Sequence, residues 1–122
     1  MDRLANWIEI PARNVKRAMS FYKSVLQVDF HEMEMGGSHY ALFGVTDNNA
    51  GGALVQGEGF IPSETGAVVY LNGGADLSAA LGRVEKAGGK VLLGKTHLSK
   101  EAGHIAYFKD TEGNKLGLHS MA

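Results

Sequence analysis

Two stretches of the chain carry apolar residues at helical spacing. From about Asn14 to Leu26, Val15, Ala18, Met19 and Tyr22 form one stripe, while Lys16, Arg17, Ser20 and Lys23 take the wet face. Asn14 is suited to cap the first turn. From about Asp76 to Ala87, Leu77, Ala80, Leu81 and Val84 repeat the spacing; Asp76 stands in the capping position, and Gly88-Gly89 can close the far end in a left-handed turn. A short apolar run precedes each helix, Trp7 to Ile10 in one case and Val68 to Leu71 in the other. Three strand-like runs follow each. In the first half they are roughly Asp29 to Met35, Ser38 to Phe43 and Ala53 to Gln56. In the second they are Lys90 to Leu93, His104 to Lys109 and Lys115 to His119. Glycine-bearing breaks separate them, ending with Gly113-Asn114, a hairpin signal.

The order βαβββ therefore occurs twice, with a break from Gly57 to Gly66 that contains Pro62 and further glycines. This predicts an α+β protein of one domain over residues 1–122. Module one spans about 5–57, the linker about 57–66 and module two about 67–120. An α+β domain without internal symmetry is the alternative.

Composition narrows the class. The length of 122 residues, with 44% hydrophobic and 20% charged, allows an ordinary core without staples. A net charge of −1 with no block of like charge gives no footprint for nucleic acid or for an anionic membrane. Without cysteine there is no disulfide framework, thiolate metal site or thiol nucleophile. No long apolar run suggests a signal peptide or a bilayer span, so a cytoplasmic location is expected. The 17 glycines imply many tight turns.

Three local motifs match one family in order and spacing. They are Ala18-Met19-Ser20-Phe21-Tyr22-Lys23-Ser24-Val25-Leu26, Val84-Glu85-Lys86-Ala87-Gly88-Gly89-Lys90-Val91, and Asp110-Thr111-Glu112-Gly113-Asn114-Lys115-Leu116-Gly117-Leu118-His119, where Thr111 stands in place of a common proline. With the doubled βαβββ pattern, the chain resembles the vicinal oxygen chelate superfamily of glyoxalases, bleomycin-resistance proteins and extradiol dioxygenases, in its glyoxalase-related subgroup. The resemblance implies two paired modules whose curled mixed sheets surround a small-molecule cavity, commonly completed in a homodimer.

Metal-using members of that family place ligands, usually His or Glu, on the first and fourth strands of each module. Carried over, those positions fall on Trp7, on Val68 or Val69, on Gly117, and in the segment Ala53-Leu54-Val55 with Gln56 just beyond. An indole and a glycine cannot ligate. His31, His39, His97, His104 and His119 form no helical His-x-x-x-His pair. The expectation is no metal and no cofactor.

Strand alternation sets Ile8 and Ile10 beneath the helices and leaves Trp7 and Glu9 on the other face. In an apolar cup Glu9 could serve as a catalytic general base; paired with Arg13 or set at a wet rim it would be structural. Trp7 could stack a flat ligand or simply pack. Tyr40, Tyr70 and Asn72 could supply the polar handles of an apolar pocket, or pack as half-buried strand residues. His104 and Tyr107 must face opposite ways. His119 could reach the cavity mouth or stay in solvent. Met33 and Met35 could form an adaptable wall or an ordinary core. The leading expectation is thus binding of a small organic molecule in a metal-free cavity, without nucleic acid or membrane partners. A metal-dependent lyase, isomerase or dioxygenase of the same superfamily is the alternative, and a ligand-free structural module a third reading.

Overall fold

A computed structural model describes residues 4–44 and 51–122. The chain runs β1 (Ile8–Pro11), α1 (Val15–Leu26), β2 (Phe30–Met35), β3 (Ser38–Phe43), β4 (Gly52–Gln56), β5 (Tyr70–Asn72), α2 (Ser78–Leu81), β6 (Lys90–Ser99), β7 (Gly103–Lys109) and β8 (Lys115–Ser120). Two four-stranded mixed sheets result, in the orders β1-β4-β3-β2 and β5-β8-β7-β6. Each first strand runs parallel to the last strand of its module, and the remaining neighbours are antiparallel. This is the βαβββ order twice over, with both sheets open.

The local chemistry of α1 is that read from the sequence. The Asn14 side chain accepts the Arg17 N–H at 3.1 Å, and Val15, Ala18, Phe21, Tyr22 and Val25 are buried. The helix stops at Gln27, which sits in the left-handed region at φ 56°. The second helix differs from expectation. Only Ser78–Leu81 is α-helical, and the chain then continues through turns to Gly88. Gly82 is the physical reason: a residue without a side chain weakens a helix. Beyond it, Arg83 and Val84 donate to carbonyls three residues back, at 3.0 and 3.2 Å. Asp76 still caps locally, accepting the Ser78 N–H at 2.9 Å.

Three strand boundaries also move. β1 and β5 begin later than the apolar runs suggest, and β6 runs on to Ser99 instead of ending near Leu93. Its pairing with β7 slips between Val91 and Leu93, between Leu93 and Thr96, and between His97 and Ser99. Such bulges absorb extra residues and erase the alternation that marks a strand in sequence. Between β2 and β3, Gly36 and Gly37 take φ of 61° and 81°, the paired positive values of a tight hairpin turn. At the last hairpin only Gly113 takes positive φ, at 101°; Asn114 contributes through its side chain instead.

One core joins the modules. The helix-bearing faces of both sheets, through Ile10, Ala41 and Leu54 on one side and Ala106, Phe108 and Leu118 on the other, share a cluster with Phe21, Tyr22, Val25, Leu77 and Val84. Phe21 and Phe108 have ring centroids 5.9 Å apart, and Tyr22 stands edge-on to Phe43 at 5.7 Å. The Phe21 ring reaches this depth because Gly89 has no Cβ; one there would lie 2.6 Å from the ring. The loop Asp110–Asn114 then locks onto the start of α1. Glu112 accepts two hydrogen bonds from Arg17, at 2.8 and 3.0 Å, and one from the Asn14 N–H at 2.8 Å. Asn114 Nδ2 donates to the Pro11 carbonyl at 2.7 Å. Tyr22 donates its hydroxyl to Asp110 at 2.6 Å. With the helix-bearing faces committed to this shared core, the opposite faces of both sheets are left outward.

Candidate functional site on the outer sheet faces

Register places the candidate residues. On the first sheet Glu9 lies beside Ala53, Ala53 beside Leu42 and Leu42 beside His31; one pair further along, Tyr40 lies between Val55 and Met33. All share the face opposite Ile10. Trp7 joins them from just before β1, donating its indole N–H to Glu9 Oε2 at 3.2 Å. That contact, and no ion pair with Arg13, holds Glu9, which is exposed. Tyr40 meets the linker residue Phe60 edge-on, centroids 6.4 Å apart, so the linker approaches this face. Met33 and Met35 are not core residues: they lie outward, Met35 being 55% exposed.

The second sheet presents Tyr70, Gly117, Tyr107 and Leu93 side by side. The Tyr70 and Tyr107 hydroxyls are hydrogen-bonded at 2.8 Å, and their rings lie 5.9 Å apart. That bond, with partial burial behind it, pushes the Tyr70 phenol up to about 12. Lys115 holds its ammonium 5.1 Å from the centre of the Tyr107 ring. Between the two modules, Glu9 and Lys115 line one hollow of about 240 Å³ together with Ser63 and Thr65.

The remaining candidates sit apart. Asn72 closes a turn, its Oδ1 accepting the Gly74 N–H at 2.9 Å. His119 shares the outer face but spends its Nε2–H on the Ala102 carbonyl at 2.6 Å. His104 does not join the group. It alternates with Ala106 and Phe108 toward the helix side, 5.0 Å from His97 across the strands, with Nδ1 buried and unpartnered. Tyr107 is therefore the member of that pair on the outer face. Lys115 and Phe60 were not singled out in the sequence; the β8 register, with Lys115 on the face of Gly117, could have indicated the lysine.

A larger cleft of about 910 Å³ lies on the helix side of the seam, bordered by Ile8, Leu26, Phe43, Leu71 and Arg83, with Tyr70 and Asn72 at its rim. Its charged groups are already engaged. Arg83 donates twice to the Val25 carbonyl, at 2.9 and 3.1 Å. Asp76 is bound by Ser78 and by Lys95 at 3.0 Å, contacts that hold its carboxyl well below the usual range. With its charged lining groups already engaged, the cleft makes a weaker site for a charged ligand than the outer faces.

The family's metal does not fit these residues. A Cβ on Gly117 would lie 2.3 Å from Tyr70 Cδ1, so the tyrosine ring occupies the space that a ligating side chain on β8 would need. Trp7, an indole, stands at the first-strand ligand position that the resemblance implies. Among the described residues no group of three His, Asp or Glu side chains comes together as a metal cluster, and no helix is long and apolar enough to cross a membrane.

The paired, open βαβββ sheets define the class, and the sequence agrees: the chain belongs to the Glyoxalase/Bleomycin resistance protein/Dioxygenase superfamily, whose model matches residues 4–118. It is 33% identical over 115 residues to a glyoxylase-like domain-containing protein of Didymella fabae, covering 88% of this chain and 85% of that one. Its fold is similar to that of TnmS3, an antibiotic binding protein from Streptomyces sp. CB03234, at TM-score 0.70 and 18% identity, over 100% and 99% of the two chains. It is similar also to glyoxalase I from Zea mays, at TM-score 0.70 and 20% identity, over 95% of this chain but 45% of the maize enzyme.

Proposed function

We propose that the protein binds a small, partly aromatic organic molecule in a metal-free cavity built on the outer sheet faces, and that a second copy of the chain completes the cavity. The observation that carries this reading is the composition of those faces. Trp7 and Tyr70 are 47% and 41% exposed and stand among Met33, Tyr40, Leu93 and Tyr107, with a few polar groups between them. Apolar walls with sparse, placed polar handles are the usual make-up of a small-molecule site. An exposed band of this kind on a single chain calls for a cover. Glu9 is the candidate proton acceptor, and Trp7, Tyr40 and Tyr70 are the candidate walls. Asn72 and His119 belong to the rim. The likeness to an antibiotic binding protein supports a binding role, and the misfit of the ligand positions weighs against a metal-dependent lyase.

Native mass spectrometry with elemental analysis of the purified protein tests the reading. The expected result is a dimer that retains or takes up an organic ligand, with no stoichiometric divalent metal. About one Ni, Zn, Fe or Mn per chain, lost on mutating histidines and needed for turnover of a hemithioacetal, would reject it.

A further inference from the structure

We infer that Tyr70, Tyr107 and Lys115 form an acceptor for an anionic oxygen, and that the ligand is a planar aromatic acid or an ionised phenol. The inference rests on the binding role proposed above and names its ligand class.

Two hydroxyls that share one hydrogen bond use one of their two protons. The other proton remains for a ligand oxygen, and its donor strength is raised by the bond behind it. Lys115 supplies the charge. Among the described residues it has no carboxylate within ion-pair distance, whereas Lys109, on the same face, is engaged by Glu64 at 3.4 Å. The Lys115 ammonium is instead parked 5.1 Å from the Tyr107 ring centre, a weak contact that an anion can replace or share. Glu9 lines the same hollow but lies beyond ion-pair distance of Lys115 and accepts from the Trp7 indole.

The floor is shaped for a flat molecule. Gly117 lets the Tyr70 ring lie directly against the sheet, and Leu93 flanks Tyr107 on the far side. A planar ring stacked there brings an oxygen on its edge to the phenol pair. A carboxylate or phenolate gains a charge-assisted bond from both the hydroxyl and the ammonium; a neutral amide of the same shape gains only the neutral bond.

The test compares 2-naphthoate with 2-naphthamide by calorimetric titration of the full chain at low salt. The acid should bind about tenfold tighter than the amide, a gap that narrows as ionic strength rises. Lys115→Met should bring the acid to the level of the amide and leave the amide unchanged. Tyr70→Phe should weaken both, with circular dichroism showing that each variant is folded. Equal binding of acid and amide by the native protein overturns the anion acceptor while leaving the binding reading intact. Failure of both probes at millimolar concentration overturns the binding reading for aromatic molecules, and the acceptor with it.

Discussion

Two buried carboxylates, Asp110 and Glu112, sit in the loop Asp110–Asn114. Asp110 Oδ1 accepts the N–H groups of Glu112, Gly113 and Asn114, between 2.8 and 3.0 Å, and its Oδ2 takes the Tyr22 hydroxyl and Asn114 Nδ2. Burial works against the charge of Glu112, but Arg17, the Asn14 N–H and Thr111 outweigh it and hold the carboxyl below its usual 4.5. An unfolded chain thus takes up this proton first as the medium is acidified. The stabilisation is fully present above about pH 4.5 and is lost below it. Tyr22 behaves oppositely. Burial first, then Asp110, raises its phenol well above 10, so the folded chain keeps a proton that the unfolded chain releases. That contribution is complete below pH 10 and declines above it. We expect thermal midpoints to hold between about pH 5 and 9 and to fall on both sides. Glu112→Gln should flatten the acid limb, and Glu112→Ala should cost about 1–2 kcal/mol by chemical denaturation, since it removes the acceptor shared by Arg17, the Asn14 N–H and Thr111. An acid limb identical in the two proteins would show that another carboxylate governs it. The Asp-Thr-Glu-Gly-Asn run is legible in the sequence as a hairpin, but its clamping role is not. Its partners lie 88 and 98 residues away, and only the folded chain brings them together.

Elements were legible where one face alone decides. A regular stripe and a side-chain cap gave α1 its expected start and end. The second helix is shorter than its four apolar positions in step suggest, because Gly82 loosens the turns after Leu81. β6 outruns its expected end because its bulges break the alternation, and β5 starts at Tyr70 because Val68 and Val69 precede the register pairs, the Val69 carbonyl accepting the Gly117 N–H at 2.8 Å. At the exit of α1, Gln27 adopts φ 56°, where a side chain crowds the following carbonyl. Gln27→Gly should therefore stabilise the protein by about 0.5–1 kcal/mol, provided that the relief of strain exceeds the added freedom of the unfolded chain. Urea titration decides the matter: an unchanged or lower midpoint would mean that Gln27 makes compensating contacts along the cleft it borders.

At the scale of the whole molecule, the outer faces set the problem that assembly must solve. The cavity was only half legible, because alternation says which residues share a face but not what lies opposite it. Trp7, Glu9 and Tyr40 look outward from one sheet and Tyr70 and Tyr107 from the other, with the shared core between them. Within one chain the two groups meet in the seam hollow of about 240 Å³ that Glu9 and Lys115 line, too small to enclose a drug-sized ligand. A two-fold pair of chains can enclose one, setting the first sheet of one copy over the second sheet of the other and closing two equivalent cavities. The same closure would cover Met33, Met35 and Leu93, whose exposure otherwise leaves apolar surface in water. An obligate interface of this kind should bury more than about 2,000 Å² in total. We therefore expect sedimentation equilibrium at micromolar concentration to give twice the 13.0 kDa of one chain. Met33→Asp and Leu93→Asp, one on each outer face, should each shift the equilibrium to monomer. Because both side chains lie outside the shared core, the circular dichroism of either variant should stay native. Ligand binding should be lost with the dimer, since each cavity would need a wall from both copies. A native chain that sediments at 13.0 kDa at every concentration, yet binds an aromatic ligand at full stoichiometry, would place the cavity within one chain and make the helix-side cleft its site.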